Sequence, residues 1–253
     1  VMQYVNPFGI NIPDAPYVDR NTPGATNGSK VGAKAIEHPM REIVAAIEAA
    51  GLTPDGEDLG QLAKAIAYAG IAHGVSIFAT AGSHTFVAPQ TRWYWPDTYG
   101  GGGGAANSGD RGEGGGGGGY AGTWVFLEQG ETVPLTVGAA GVTNGTGTAN
   151  GTAGGTSSFG AHCSATGGGG ATFSGVFGAG GMGSGGAINL RGQDGTNAEG
   201  DFPKFGEGGA AAGPHGGKPA RNGENGATWP GGGGSRAWGW DGQPAAGGII
   251  VRW

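Results

Sequence analysis

Carboxylates, histidines and a single cysteine are the residues of this chain that could do chemistry. The acidic residues considered are Asp97, Asp110, Glu113, Asp201, Glu207 and Asp241. A glycosidase needs two carboxyl groups that face one bond, and the spacing of these six selects no such pair. His162 and Cys163 are adjacent on a predicted strand, which points their side chains to opposite faces. The sequence therefore predicts that the chain is not an enzyme.

Composition argues against several other classes of protein. Only 13% of the residues are charged and the net charge is −6, whereas a nucleic acid or an anionic membrane would require a basic patch. One cysteine cannot form an intrachain disulfide, and no Cys/His spacing suggests zinc. The sequence shows no nucleotide-binding GxxxxGK[ST] motif, so we expect no cofactor. Because it has neither an 18-residue apolar stretch nor a leader, we expect no membrane insertion. The single cysteine indicates assembly in a reducing compartment.

Glycine dominates the second part of the chain. Of 63 glycines, ten precede Gly100, so that glycine makes up about a third of residues 100–253. The runs at 100–104 and 114–119 break the strict three-residue spacing of collagen. Glycine buries no side chain and loses much backbone entropy on folding, so the region is either disordered or held by backbone packing. Seven tryptophans, six tyrosines and nine phenylalanines argue against disorder.

Two helices are predicted after an extended segment at residues 1–31. Pro39 suits a first helical position, and Gly51 suits a left-handed C-cap. Asp58 is placed to cap the second helix, with Gln61 in the capping-box position. The apolar stripes of the two helices consist of Met40, Ile43, Val44 and Ile47, and of Leu59, Leu62 and Ile66. So short a hairpin buries little surface by itself, so we expect these stripes to face other copies of the chain or the following domain.

Alternation of β-forming residues begins after Gly74. It predicts strands near residues 83–88 and 91–96, two strands in YAGTWVFLEQGETVPLTVGAAG around a QGE turn, and a last strand in GGIIVRW. Trp93, Trp95 and Trp124 fall in these strands, which favours packing over recognition for all three. These segments are the ones able to form conventional β-ladders.

Two stretches carry a family resemblance. PMREIVAAIEAAGLTPDGEDLGQLAKAI, roughly residues 38–67, resembles the helical segment found upstream of the receptor-binding tips of trimeric bacteriophage tail fibres. The order HTFVAPQ, polyglycine, GGYAGTWVFLEQGETVPLTVGAAG and GGIIVRW is similar to the glycine-rich C-terminal domain of those fibres, over residues 76–253. The resemblance implies a mainly β or irregular, glycine-rich tip at 76–253, preceded by an α-helical hairpin stem at 1–75, in an intertwined homotrimer.

The resemblance also implies that the tracts could form a polyglycine sandwich. Bare glycine runs can adopt an extended helix of three residues per turn and pack through backbone hydrogen bonds. The alternative is that the tracts are loops between the strands of a β-sandwich.

Polar and aromatic residues between the tracts are the candidates for recognition, because exposed loops on a rigid scaffold usually carry binding residues. They cluster at residues 191–209, 214–230 and 235–244. The predicted receptor-binding residues are Phe202, Lys204, Phe205, His215, Arg221, Trp229, Trp238 and Trp240. For each aromatic, the alternative is that it holds the tip together.

The predicted function is that of a tail-fibre adhesin, made in the host cytoplasm and carried at the distal fibre of the virion. Its partners would be other tail proteins and a bacterial receptor, namely a pilus, an outer-membrane protein or lipopolysaccharide. An ice-binding polyglycine bundle and a tail-fibre polysaccharide depolymerase are the alternative functions.

Overall fold

The computed structural model describes residues 6–12, 15–20, 27–71, 74–108, 111–144, 148–197, 204–220, 226–237 and 240–253. In these residues the secondary structure is mainly β, with two helices, which confirms the predicted fold class. The chain divides into two compact units, Val1–Ala72 and His73–Trp253. Neither helix is long and apolar enough to cross a membrane.

The first unit contains helices α1 (Ala33–Ala49) and α2 (Gln61–Ile71). The predicted end of α1 is confirmed: Gly51 has φ +76°, and its N–H donates to Glu48 O while the Leu52 N–H donates to Ile47 O. This pair of bonds is the Schellman motif. The predicted start is wrong, because α1 begins six residues before Pro39 and includes it. The helix-forming run AKAIEH extends the helix upstream even though proline cannot donate a hydrogen bond there.

The start of α2 also differs from the prediction, since no capping box forms. Asp58 Oδ1 accepts from the Gly60 N–H at 3.0 Å, and Gln61 is the first helical residue. The Gln61 amide reaches back into the preceding turn, accepting from Asp55 N and donating to Thr53 O. Of the predicted apolar stripes, only Ile47 is buried. What covers the rest stays a prediction.

The second unit consists of short strands joined by glycine-rich connections. In the described residues they are β1 (Val75–Phe78), β2 (Gly82–Val87), β3 (Arg92–Tyr99), β4 (Ala106–Ser108), β5 (Arg111–Glu113), β6 (Tyr120–Gly122), β7 (Val125–Leu127), β8 (Thr132–Val137), β9 (Thr148–Ala149), β10 (Ser157–Phe159), β11 (Cys163–Ala165), β12 (Gly183–Ser184), β13 (Ile188–Leu190), β14 (Lys204–Phe205), β15 (Ser235–Ala237), β16 (Trp240–Gly242) and β17 (Gly248–Arg252). The predicted strands correspond to β2, β3, β7, β8 and β17, and are confirmed.

Two antiparallel sheets pack face to face as a β-sandwich. The six-stranded sheet has the order β1-β17-β3-β6-β13, with β7 also paired to β3, and the five-stranded sheet has the order β12-β11-β10-β8-β2. Alternation along each strand sends one set of side chains into a common core. The core includes Tyr94, Ile249 and Val251 from the first sheet and Phe86 and Phe159 from the second.

The glycine tracts form polyglycine helices rather than loops. Within 114–119, Gly114 and Gly117 donate to Thr196 and Gln193 of one neighbouring segment. Gly115 and Gly118 donate in the same manner to residues 234 and 231 of a second segment, and Gly116 and Gly119 donate to residues 169 and 166 of a third. Every third residue therefore bonds to the same neighbour, as in a helix of three residues per turn.

Tract 114–119 lies at the centre of a six-neighbour array. It donates to three segments and accepts from three others. The donors in these others are the N–H groups of residues 100 and 103, 178 and 181, and 209 and 212. All of its N–H and C=O groups are thereby used, with N···O distances of 2.8–3.1 Å. This satisfies the buried backbone without any side-chain core.

The close approach of these backbones explains why the tracts consist of glycine. A Cβ built on Gly117 would lie 2.1 Å from Ala210 O, and one on Gly102 would lie 1.9 Å from Gly232 O. Both contacts are to backbone atoms, which cannot rotate away as a side chain can. No residue larger than glycine fits at these positions.

Candidate functional site

The bundle of polyglycine helices has two distinct ends. Tract 100–104 leaves the sandwich at β3 and ends at β4, and tract 114–119 returns from β5 to β6. At about 3.1 Å per residue, such tracts span roughly 15 to 19 Å. The sandwich therefore lies at one end, and the four-stranded sheet β14-β5-β4-β9 lies at the other, here called the outer end.

The predicted receptor-binding residues divide between these ends. Phe202, Arg221 and Trp238 lie outside the described residues. Lys204 and Phe205 form β14, which pairs with β5 at the outer end. Trp240 lies in the β15–β16 hairpin, which follows a tract whose Gly234 bonds to Gly103 and Gly115 near that same end.

His215 and Trp229 are at the sandwich end instead. The His215 N–H donates to Tyr99 Oη at 3.2 Å. The half-buried Trp229 ring packs against Tyr99, Tyr120 and Ile250, and its Nε1 donates to Gly247 O at 2.8 Å. The structure thus gives Trp229 a packing role and does not bring the five described residues of the eight into one site.

Sequence reasoning missed an apolar turn at the outer end. Phe173, Val176 and Phe177 are exposed there. The turn is fixed by the Phe173 N–H, which donates to Asn150 Oδ1, and by the Thr172 N–H, which donates to Val176 O. Isolated large apolar residues between two glycine tracts were the available sequence signal.

A second surface, which we call the aromatic groove, lies on the outer face of the six-stranded sheet. Its volume is about 890 Å³, and it is lined by Gly74, Val75, Arg92, Trp93, Trp95, Trp124, Arg252 and Trp253. Trp95 pairs with Arg252 across β3 and β17, and Arg252 pairs with Val75 across β17 and β1. Cross-strand partners share one face of a sheet, so these three side chains line the groove together.

The packing role predicted for the strand tryptophans is wrong for two of them. Trp93 is 56% exposed and Trp124 is 59% exposed. Trp93 stands on the outer face beside Phe126, at a ring-centroid distance of 5.4 Å. Trp124 lies between β6 and β7 and meets the Trp95 ring at 70° and 5.1 Å. The run of aromatic residues at 93–95 predicted β3 from the sequence, but only the pairing of the strands shows which face of the sheet is left uncovered.

A buried carboxylate fixes one wall of the groove. Asp97 is fully buried and accepts hydrogen bonds at Oδ1 from Trp95 Nε1 at 2.8 Å and from Tyr120 Oη at 2.7 Å. Its Oδ2 forms an ion pair of 2.6 Å with Arg252 Nη2. Burial raises the pKa of Tyr99 and Tyr120 well above its ordinary value, and the Asp97 charge raises it further.

The acidic and nucleophilic groups singled out in the sequence differ in position and burial. Asp97 and Glu113 are both buried but are separated by the length of a tract, in β3 and β5. His162 is exposed while Cys163 is buried; the two are not on one strand as predicted, because His162 lies in the turn that precedes β11. Burial also raises the pKa of the Cys163 thiol. In the described part of the chain, no cluster of His, Cys, Asp and Glu could hold a metal ion.

Comparison with known families gives one match. The family model for the glycine-rich domain matches residues 79–249, which cover the polyglycine bundle and most of the sandwich. No curated protein matches the sequence significantly. Since the matched region exceeds half of the chain, the protein belongs to the glycine-rich domain family.

Proposed function

We propose that the chain is a receptor-binding protein of a bacteriophage tail fibre, and that it attaches the virion to a bacterial surface receptor. The contact is made by the connections at the outer end of the polyglycine bundle. Homotrimerisation through the first unit is part of the same proposal.

The observation that supports this function most strongly is the hydrogen-bond array around tract 114–119. It holds the bundle through backbone atoms alone, so the residues that connect the tracts can vary without disturbing it. Rigid scaffolds with variable exposed connections are where recognition residues accumulate. The exposed Phe173, Val176 and Phe177 add apolar surface at this end.

The test is binding of the fluorescently labelled chain to a panel of bacterial strains, measured by flow cytometry. Unlabelled chain should compete with adsorption of a phage whose fibre carries this sequence. Phe173→Ser with Val176→Ser should reduce cell binding at unchanged thermal stability. The control is Val87→Ser, an equally exposed valine on the sandwich, which should bind normally.

Three results would count against parts of the proposal. Failure of the wild-type chain to bind cells and to compete with phage rejects the adhesin. Thermal hysteresis of its solutions would favour the ice-binding alternative, which shares the polyglycine bundle. A monomer in sedimentation equilibrium rejects the homotrimer alone.

A further inference from the structure

We propose that the exposed apolar stripe of α1 joins three copies of this chain as the seam of a parallel coiled coil. We call this stripe the α1 seam, and it consists of Ile36, Met40 and Ile43, followed by the buried Ile47. The inference rests on the homotrimer of the proposed function and names the surface that forms it. The seam belongs to the first unit, so it can be tested separately from receptor binding.

The observed start of α1 completes a coiled-coil pattern. Because the helix begins at Ala33 and not at Pro39, Ile36 lies on the helix together with the apolar residues that follow it. The four apolar positions are then spaced by four, three and four residues: Ile36, Met40, Ile43 and Ile47. This is the a/d spacing of a heptad, with residues 36 and 43 at d and residues 40 and 47 at a.

The rest of the helix surface suits contact with water. Heptad positions b, c and f carry Lys34, Ala35, His38, Arg41, Glu42, Ala45, Glu48 and Ala49. Arg41 forms an ion pair of 2.8 Å with Glu37 one turn away on this surface. The apolar stripe is left uncovered even though α1 and α2 are in contact, since Ile36 is 58%, Met40 61% and Ile43 41% exposed. A narrow uncovered stripe between polar faces is typical of a coiled-coil helix.

The first unit buries too little apolar surface within one chain to be stable by itself. Among its described residues, the buried apolar side chains are Ala15, Ile47 and Ala65. Proteins with so small a core are stabilised by disulfides, metals or oligomerisation. Residues 1–72 contain no cysteine, and the described residues hold no cluster that could bind a metal ion. Burial of the α1 seam between copies supplies the missing core.

The residue types of the seam indicate how many copies associate and in which direction. Isoleucine at position d, as at 36 and 43, favours three or four strands over two, and three is the number in the proposed homotrimer. Soluble homo-oligomers close with rotational symmetry, and three identical helices around one three-fold axis run parallel. Each residue of the seam therefore contacts its own equivalents in the two other copies.

The first experiment measures the oligomeric state of the full chain by sedimentation equilibrium. Ile43→Asp should lower the association constant of the trimer by at least about a thousandfold, because each trimer loses three buried isoleucines. Ala45→Asp introduces the same charge at an exposed f position and should leave the trimer unchanged. All seven tryptophans lie in residues 73–253, so an unchanged tryptophan emission spectrum shows that the second unit of each variant is folded.

The second experiment tests the register without introducing a charge. Ile43→Cys places three thiols in one layer of the seam, and mild oxidation should link two of the three chains in a non-reducing gel. Ala45→Cys, on the opposite side of the helix, should give no such link. The wild-type chain controls for Cys163, which is buried and should not cross-link.

The outcomes distinguish the seam from the proposed function. Survival of the trimer in Ile43→Asp, or absence of the Ile43→Cys cross-link, would overturn the seam while the homotrimer stands. A wild-type monomer, dimer or tetramer would overturn both. If the wild-type chain fails to bind cells while Ile43→Asp dissociates the trimer and Ala45→Asp does not, the adhesin is rejected and the seam is retained.

Discussion

Asp97 is an unusual residue for the middle of a sheet, because a buried carboxylate loses its hydration. It forms an ion pair with Arg252 and accepts hydrogen bonds from Trp95 and Tyr120. Such an arrangement can orient side chains without adding net stability. Here it orients two lining residues of the aromatic groove.

We predict that Asp97→Asn destabilises the second unit by about 2 to 3 kcal/mol. Loss of one partner from a fully buried ion pair costs about 3–5 kcal/mol, and the figure is lower here because the Arg252 side chain is 44% exposed. Urea unfolding followed by tryptophan fluorescence measures the change. Glu128→Gln, the same loss of charge at an exposed site, should be neutral. Equal unfolding midpoints for the two variants would contradict the role assigned to Asp97.

Individual residues were the hardest level to predict from the sequence. Alternation puts Tyr94 and Trp93 on opposite faces of the strand, but it could not show that Tyr94 is the residue in the core and that the face with Trp93 is left uncovered. That depends on what packs over each part of the sheet: Trp229 covers Tyr99 and Ile250, and the described residues leave Trp93 and Trp124 exposed. The contact between Trp229 and Tyr99 joins segments more than 100 residues apart, which local patterns do not encode.

At the level of elements, prediction succeeded where a single local signal decides the conformation. Gly51 ends α1 because a left-handed residue is required there. Strands β2 and β3 follow from alternating side chains, and β17 follows from a run of β-branched residues. The start of α1 has two competing signals, since Pro39 favours a helix start and the preceding AKAIEH run favours an earlier one.

Replacement of Pro39 by alanine distinguishes these two starts. In the observed helix Ala33–Ala49, alanine restores an interior N–H, so we expect α1 to gain up to about 3 kcal/mol of local stability. At a first helical position the same change would be nearly neutral. Hydrogen–deuterium exchange of the peptide covering residues 33–49 should slow in Pro39→Ala. Pro54→Ala, in the exposed turn between the helices, is the matched control, and unchanged exchange would place the helix start at Pro39.

At the level of the whole molecule, the sequence indicated backbone packing but not its arrangement. A tract such as 114–119 has no side chains to show which segments surround it, so either helices or loops were compatible with its composition. The array is specified by the interruptions: the strands β3, β5 and β6 fix where each tract begins and ends. The hydrogen bonds that tract 114–119 donates to residues 166 and 169, 193 and 196, and 231 and 234 therefore follow from the assembled fold.

If backbone contact holds the molecule together, a single methyl group at its centre should be enough to disrupt it. Gly117 donates to Gln193 O and accepts from Gly181 N, and a Cβ there would meet Ala210 O at 2.1 Å. Relief of that clash requires two tracts to separate, which would break further hydrogen bonds in the array. We therefore expect Gly117→Ala to destabilise the second unit by at least about 3 kcal/mol, the upper part of the range for overpacking.

Thermal unfolding by circular dichroism, with the soluble yield, measures this effect. Gly226→Ala is the control, since among the described residues its Cβ would come within 3.3 Å of Gln243 O and no closer, and it should lose far less stability than Gly117→Ala. The same array predicts similar losses at Gly102 and Gly116, whose added Cβ atoms would lie 1.9 Å and 2.1 Å from backbone oxygens. Wild-type stability in all three variants would mean that the tracts are loosely held connections, and the outer end would then lack the rigid support on which the proposed receptor contact depends.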